Sequence, residues 1–230
     1  KNRRQESRVK KRFTPQESLY EALRPEGVEK IHQSTLQTFE EVGFEVNNPE
    51  AFELFKRVAS SVDSHRRLVR MKEPAIADLV SAAPSEVMLY GRDDAHNAAL
   101  GTGDVYFGTG GTALNVLDYA TGERRTASMG DLVDIVRLTH ALDNVHIMLL
   151  PTYPGELPVE EVDVNRFLAG FMYTTKHIMG GVYTAEGINS VIAMAEEIAG
   201  SPEALRERPF LSMITCGISP LRLDNKYGSF

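Results

Sequence analysis

From Ser128 onward, short runs of apolar residues alternate with longer stretches in which apolar residues recur every three or four positions, and few folds accept that alternation. Ser128 stands as an N-cap ahead of the stripe Leu132, Val133, Ile135, Val136, Leu138 and Leu142. Asp131 and Asp134 fall in the first turns, where the helix dipole favours negative charge. Residues 145–150 form an apolar strand, 151–158 a loop, and 159–173 a helix whose acidic start, Glu160, Glu161 and Asp163, again suits the dipole. Residues 177–182 are the next strand, and Thr184 caps a helix running through Ile198. Ser201 and Pro202 then open a short helical turn before a further strand at 210–215. Strands apolar on both faces and separated by single helices belong in a parallel sheet, because each crossover helix covers a face.

Two parallel architectures compete, the open doubly wound sheet and the closed barrel. An open dinucleotide-binding sheet needs a G-x-G-x-x-G turn leading from a strand into a helix. Here Gly108-Thr109-Gly110-Gly111 leads into another strand. The pattern therefore predicts an α/β fold of the (β/α)8 TIM-like barrel type. About four strands are visible where a barrel takes roughly 250 residues, so the first half of a barrel is expected. A half barrel exposes a sheet edge and an apolar interior, which makes a homo-oligomer the expected state.

Before Ala127 the pattern is irregular, and residues 21–127 read as an N-terminal α+β cap region leading into the barrel residues 128–230. Val28, Ile31, Leu36, Phe39 and Val42 mark a helix over 25–42 that Gly43 stops; 49–59 and 73–82 are further helices. Strands are expected at 68–71, 86–90, 105–107 and 113–118, the last turning at Thr121-Gly122 toward 124–127. Residues 1–20 carry Lys1, Arg3, Arg4, Arg8, Lys10, Lys11 and Arg12 and read as a solvated basic arm.

The chain as a whole is nevertheless acidic, with a formal net charge of -7, which argues against a nucleic-acid binder. A P-loop is absent. Cys216 is the only cysteine, so neither an intramolecular disulfide nor a cysteine-rich zinc site can form. No apolar run approaches the roughly 18 residues of a membrane span, and a cytoplasmic protein is expected.

In barrels the chemistry sits at the C-terminal ends of the strands. Those positions are Pro151, Thr152 and Tyr153, then Gly181 to Thr184, then Cys216 to Pro220, with Tyr106 and Phe107 in the earlier loop. Tyr106, Tyr153, Tyr183 and Ser219 are the candidate substrate-binding residues, since ring faces attract a quaternary ammonium group without hydrogen bonds. A rim tyrosine also serves simply to bury its ring and hydrate its hydroxyl. Lys176, His177 and His146 precede strands and belong to the opposite end, as structural residues. Lys176 as a Schiff-base nucleophile is the alternative. His32, His65, His96 and His140 lack a second histidine or cysteine at i+3 or i+4, so no metal site is expected. Cys216 is read as a small buried residue rather than a nucleophile, and the acidic run 156–163 as a helix N-terminus.

The run GVEKIHQSTLQTFEEVGFEV from Gly27 to Val46 resembles the opening helix of the trimethylamine methyltransferase family. RLVRM at 67–71, APSEVML at 83–89 with Gly91-Arg92-Asp93, and TASMGD at 126–131 follow in that family's order, and the likeness covers most of 21–220. The resemblance implies a (β/α)8 barrel that moves a methyl group from a methylated or quaternary amine to the Co(I) of a corrinoid (cobalamin) held by a partner protein. No cofactor is then bound by the chain itself. Some members act on trimethylamine and use pyrrolysine, at a position that would fall beyond Phe230; others resemble glycine betaine methyltransferases. The rival readings are a Schiff-base aldolase or lyase built on Lys176, and a non-catalytic betaine-binding or scaffold subunit.

Overall fold

The computed structural model describes residues 22–217 and 219–223, and its helices begin beside a capping side chain, which accepts from a free first-turn N–H, or a proline, which has no N–H to leave unpaired. The basic arm assigned to residues 1–20 lies outside the described residues. Two compact units form, one from residues 22–85 with 215–223, the other from Glu86–Ile214.

In the first unit, helix α1 (Pro25–Gln37) passes into a π-helical turn, Thr38–Val42. Gly43 ends it with φ 79°, and a Cβ there would run into the Val69 carbonyl, so glycine is required twice over. β1 (Phe44–Val46), α2 (Pro49–Lys56), β2 (Ser61–Asp63), β3 (Leu68–Arg70) and α3 (Glu73–Ser81) follow. β3 lies antiparallel between β1 and β2, and a returning strand, Arg222–Leu223, adds parallel to the outer edge of β1. Phe44, Val46, Phe52, Val69 and Met71 make the core. Phe39 and Phe55 meet Phe44 edge-to-face at 5.7 and 5.0 Å. Between Phe39, Phe55, Met71, Ile76 and the returning segment 219–223 opens an apolar groove of about 970 Å³.

The second unit opens with two antiparallel pairs, β4 (Val87–Leu89) with β5 (Ala98–Leu100), and β6 (Asn115–Leu117) with β7 (Arg124–Thr126). Helix α4 (Met129–Ala141) then starts in a capping box between Ser128 and Asp131. Arg125 forks onto Asp131 at 2.7 and 2.8 Å and holds its carboxyl well below the usual carboxylate range. β8 (Ile147–Leu149), α5 (Val159–Tyr173), β9 (His177–Gly181), α6 (Ala185–Ala199), α7 (Pro202–Glu207) and β10 (Leu211–Ile214) complete it. The change of pattern at Ala127 is thus a change of secondary structure inside one compact unit.

β8, β9 and β10 form a parallel sheet in chain order, with Ile147 opposite His177 and Ile178 opposite Leu211. The strand expected at 105–107 is replaced by a looser run to 113, which touches the free edge of β8 through parallel bridges Gly108–Ile147 and Ala113–Thr152. Glycines at 108, 110 and 111 supply no side chains to pack, which is why this ladder stays incomplete. Met148, Leu150 and Ile178 pack with Leu132 and Val136 of α4, Phe167 and Phe171 of α5, and Val191 of α6. Ile147, Leu149 and Met179 turn the other way, toward Leu89, Ala98 and Tyr106. Helices therefore cover one face only. The fold is mixed α/β, and the closed barrel expected from the periodicity is not seen: among the described residues no sheet closes, because β10 pairs on one side alone.

Candidate functional site

In a βα unit the helix runs back along its strand, so the first turns of α5 stand beside the C-terminal ends of β8 and β9. The buried stripe of α5 is Val162, Asp163, Arg166, Phe167, Gly170 and Phe171, apolar in its lower part and charged at the top. Arg166 is fully buried. Its Nε donates to the Thr152 carbonyl at 2.9 Å, Nη1 to Gly181 at 3.1 Å, and Nη2 to Leu150 at 3.0 Å and to Thr112 Oγ1 at 3.2 Å. One planar cation thus satisfies carbonyls at the ends of both strands. Burial pushes the guanidinium pKa down, with the neighbouring Tyr183 and Asp163 acting against that shift. It keeps its charge.

Asp163 is also fully buried. Its Oδ2 accepts from the backbone N–H of Tyr183 at 2.8 Å and of Thr184 at 3.0 Å, and from the Thr184 hydroxyl at 3.4 Å. Gly187 allows this approach, since a Cβ there would come within 2.5 Å of that oxygen. Asp163 Oδ1 and Thr152 Oγ1 are buried with no hydrogen-bond partner among the described residues. Orphaned polar atoms of this kind are uncommon in a buried setting, and each calls for an explanation.

Tyr153 and Tyr183 are half-buried and meet edge-to-face, centroids 5.2 Å apart at 82°. The Arg166 guanidinium lies 5.5 Å from the Tyr183 centroid. The structure brings these two candidates together and leaves Tyr106, in the same unit, apart from them. Tyr106 stands at the start of β8, its ring 5.3 Å from that of His146, its hydroxyl accepting from Ala99 N–H and donating to Asp104. Ser219 is exposed on the wall of the apolar groove in the unit of residues 22–85 and 215–223.

At the N-terminal end of β9, Lys176 is buried and its Nζ donates to the carbonyls of Thr139 and, at 2.8 Å, Leu142, where a cation complements the end of α4. His177 Nδ1 faces the Tyr90 carbonyl at 2.9 Å and Nε2 the Ser212 hydroxyl at 2.8 Å. A carbonyl only accepts, so the proton belongs on Nδ1. Burial lowers this histidine's pKa. Cys216 corrects the expectation of a small buried residue: it is exposed, because the chain has left β10 two residues before it. Among the described residues, no three His, Cys, Asp or Glu side chains gather as a metal site, and no helix is long and apolar enough to cross a membrane.

Asp163 and Arg166 were absent from the sequence-derived candidates. Their signal was present: both sit on the stripe of Val162, Phe167 and Phe171, at the helix end that faces the strand termini. Grouping Asp163 with Glu160 and Glu161 as dipole-favoured acids hid it, for those two are exposed.

The family model described as trimethylamine methyltransferase (MTTB) matches residues 1–228. The trimethylamine methyltransferase MttB of Desulfitobacterium hafniense is 31% identical over 195 residues, covering 85% of this chain and 39% of that protein. A glycine betaine methyltransferase from another strain of that species is 25% identical over 210 residues, covering 90% and 43%. The MttB of Methanosarcina thermophila is 27% identical over 204 residues, covering 86% and 42%. The chain spans about two fifths of the length of these curated relatives.

Proposed function

This chain belongs to the trimethylamine methyltransferase family, and we propose that it carries part of the site of an enzyme that takes a methyl group from a quaternary or other methylated amine. The acceptor in this reading is the Co(I) of a corrinoid carried by a separate protein. The architecture that goes with it is a (β/α)8 barrel opening with the run 107–113, β8, β9 and β10. Sequential parallel order and helices on a single face support that topology.

The observation that carries the reading is the Tyr153–Tyr183 pair, half-exposed at the strand ends. A quaternary ammonium has no N–H to donate, so it is held by ring faces, each worth about 0.5–2 kcal/mol. Its methyl group is already activated. When the N–CH3 bond breaks, the electron pair stays on nitrogen and a neutral tertiary amine departs, so no acid or base is required. What the residues must supply is orientation of that methyl group toward the acceptor and exclusion of water. Against a Schiff-base lyase stands Lys176, engaged with the end of α4 at the opposite end of β9.

Binding of glycine betaine and of trimethylamine to the full-length protein, by calorimetry, tests the pair. Tyr153→Ala is expected to weaken binding about fivefold or more, and unchanged affinity removes that ring from the site. Catalysis is read from the absorbance of a supplied Co(I) corrinoid: if no methylated amine changes it, the methyltransferase reading falls.

A further inference from the structure

The two rings are carried on peptide groups, and those peptides are held by one turn of α5. The Thr152 carbonyl that receives Arg166 Nε belongs to the same peptide plane as the Tyr153 N–H. The N–H groups that Asp163 Oδ2 receives, of Tyr183 and Thr184, belong to the two peptides that flank Tyr183. Arg166 adds the Gly181 carbonyl, two residues before the same ring, and places its guanidinium against that ring. Neither charged side chain is reachable, since both are fully buried. We propose that Asp163 and Arg166 are positioning residues that fix the Tyr153–Tyr183 geometry, and with it the fit to the amine; for the amine, this rests on the methyltransferase reading above.

A merely structural pair would also tie loops together, and three details argue for more. The contacts converge on two ring-bearing loops, whereas Lys176, the other buried cation among the described residues, serves a helix end. The carboxylate commits one oxygen to the peptides around Tyr183 while Oδ1, equally buried, has no partner among the described residues. A generic structural carboxylate would find partners for both. Gly187 keeps the space in which the bonded oxygen, Oδ2, reaches those peptides.

Asp163→Asn keeps the volume and removes the charge. In a crystal structure of the ligand-free full-length variant, the Tyr183 ring is expected to leave its edge-to-face contact with Tyr153; an unmoved ring pair overturns the proposal without reference to any amine. In binding, Asp163→Asn is expected to raise Kd for glycine betaine about fivefold, raising KM more than it lowers kcat. In a Tyr183→Ala background it is expected to have no further effect, because the residue acts through that ring. Additive losses would mean a separate role and sink the idea. Should Asp163→Asn fail to fold, Gly187→Ala displaces the carboxylate while leaving its charge, and the same ring shift and the same KM-weighted loss are expected; normal values again overturn it. If the wild-type protein binds no methylated amine, the functional reading fails, and the ring geometry still decides the positioning role.

Discussion

The buried polar and charged side chains among the described residues, Asp163, Arg166, Lys176 and His177 with Thr139, Thr152 and Thr174, all belong to the unit of residues 86–214. The unit of residues 22–85 and 215–223 seals its interior with apolar side chains, Phe44, Val46, Phe52, Val69 and Met71 among them, and leaves an apolar groove open beside them. The difference follows from strand geometry. Parallel strands that end together under helices present carbonyls no neighbour can pair, and a buried cation meets that demand. Short antiparallel strands pair along their length and need none.

Removing a buried cation should therefore hurt far more in one unit than removing apolar bulk does in the other. Arg166→Met leaves the carbonyls of Leu150, Thr152 and Gly181 without their donor and Asp163 without its neighbouring charge. The expected loss is about 3–5 kcal/mol of protection in β8 and β9, read by amide hydrogen exchange; under about 1 kcal/mol the contrast is broken. Met71→Ala is expected to lose about 2 kcal/mol, read in β1 and β3, at the low end for such truncations because the adjoining groove lets neighbours relax. A loss matching that of Arg166→Met would show a core packed as tightly as the charged one.

The smallest effect is one of pH. Burial lowers the pKa of His177 from its ordinary value near 6.5, so the unfolded chain takes up the proton first as the medium acidifies. Its contribution is complete above about pH 6.5 and is lost as the pH falls through that value toward the lower folded one. A melting profile from about pH 8 to about pH 5 should decline on the acid side, and less so in His177→Gln. A profile identical in the two proteins would remove His177 as its source.

Reading the sequence recovered what is encoded locally. Helix 159–173 is found with the bounds that periodicity set, and Ser128 and Thr184 cap the helices they were expected to cap, because a cap and a stripe are written within a few residues. Tyr106 shows the limit. Placing it at a rim supposed that a strand ended at 107, whereas the chain runs on beside β8 to Ala113, so the residue lies where that run begins. No local rule gives the extent of a glycine-rich edge, which depends on the strand it meets. Arg166 was hidden for a related reason: its meaning lies in carbonyls on other segments, and a helix pattern shows only that a position faces inward.

That same arginine has a consequence for how the unit assembles. Its partners reach back as far as 54 residues along the chain, and they come from the edge run, the end of β8 and the end of β9. No such contact can close until those segments already lie side by side with α5 in place. The guanidinium therefore acts late on the folding path, as a latch rather than a nucleus. Its energy falls on the barrier to coming apart and governs how long the aromatic pair, once built, survives.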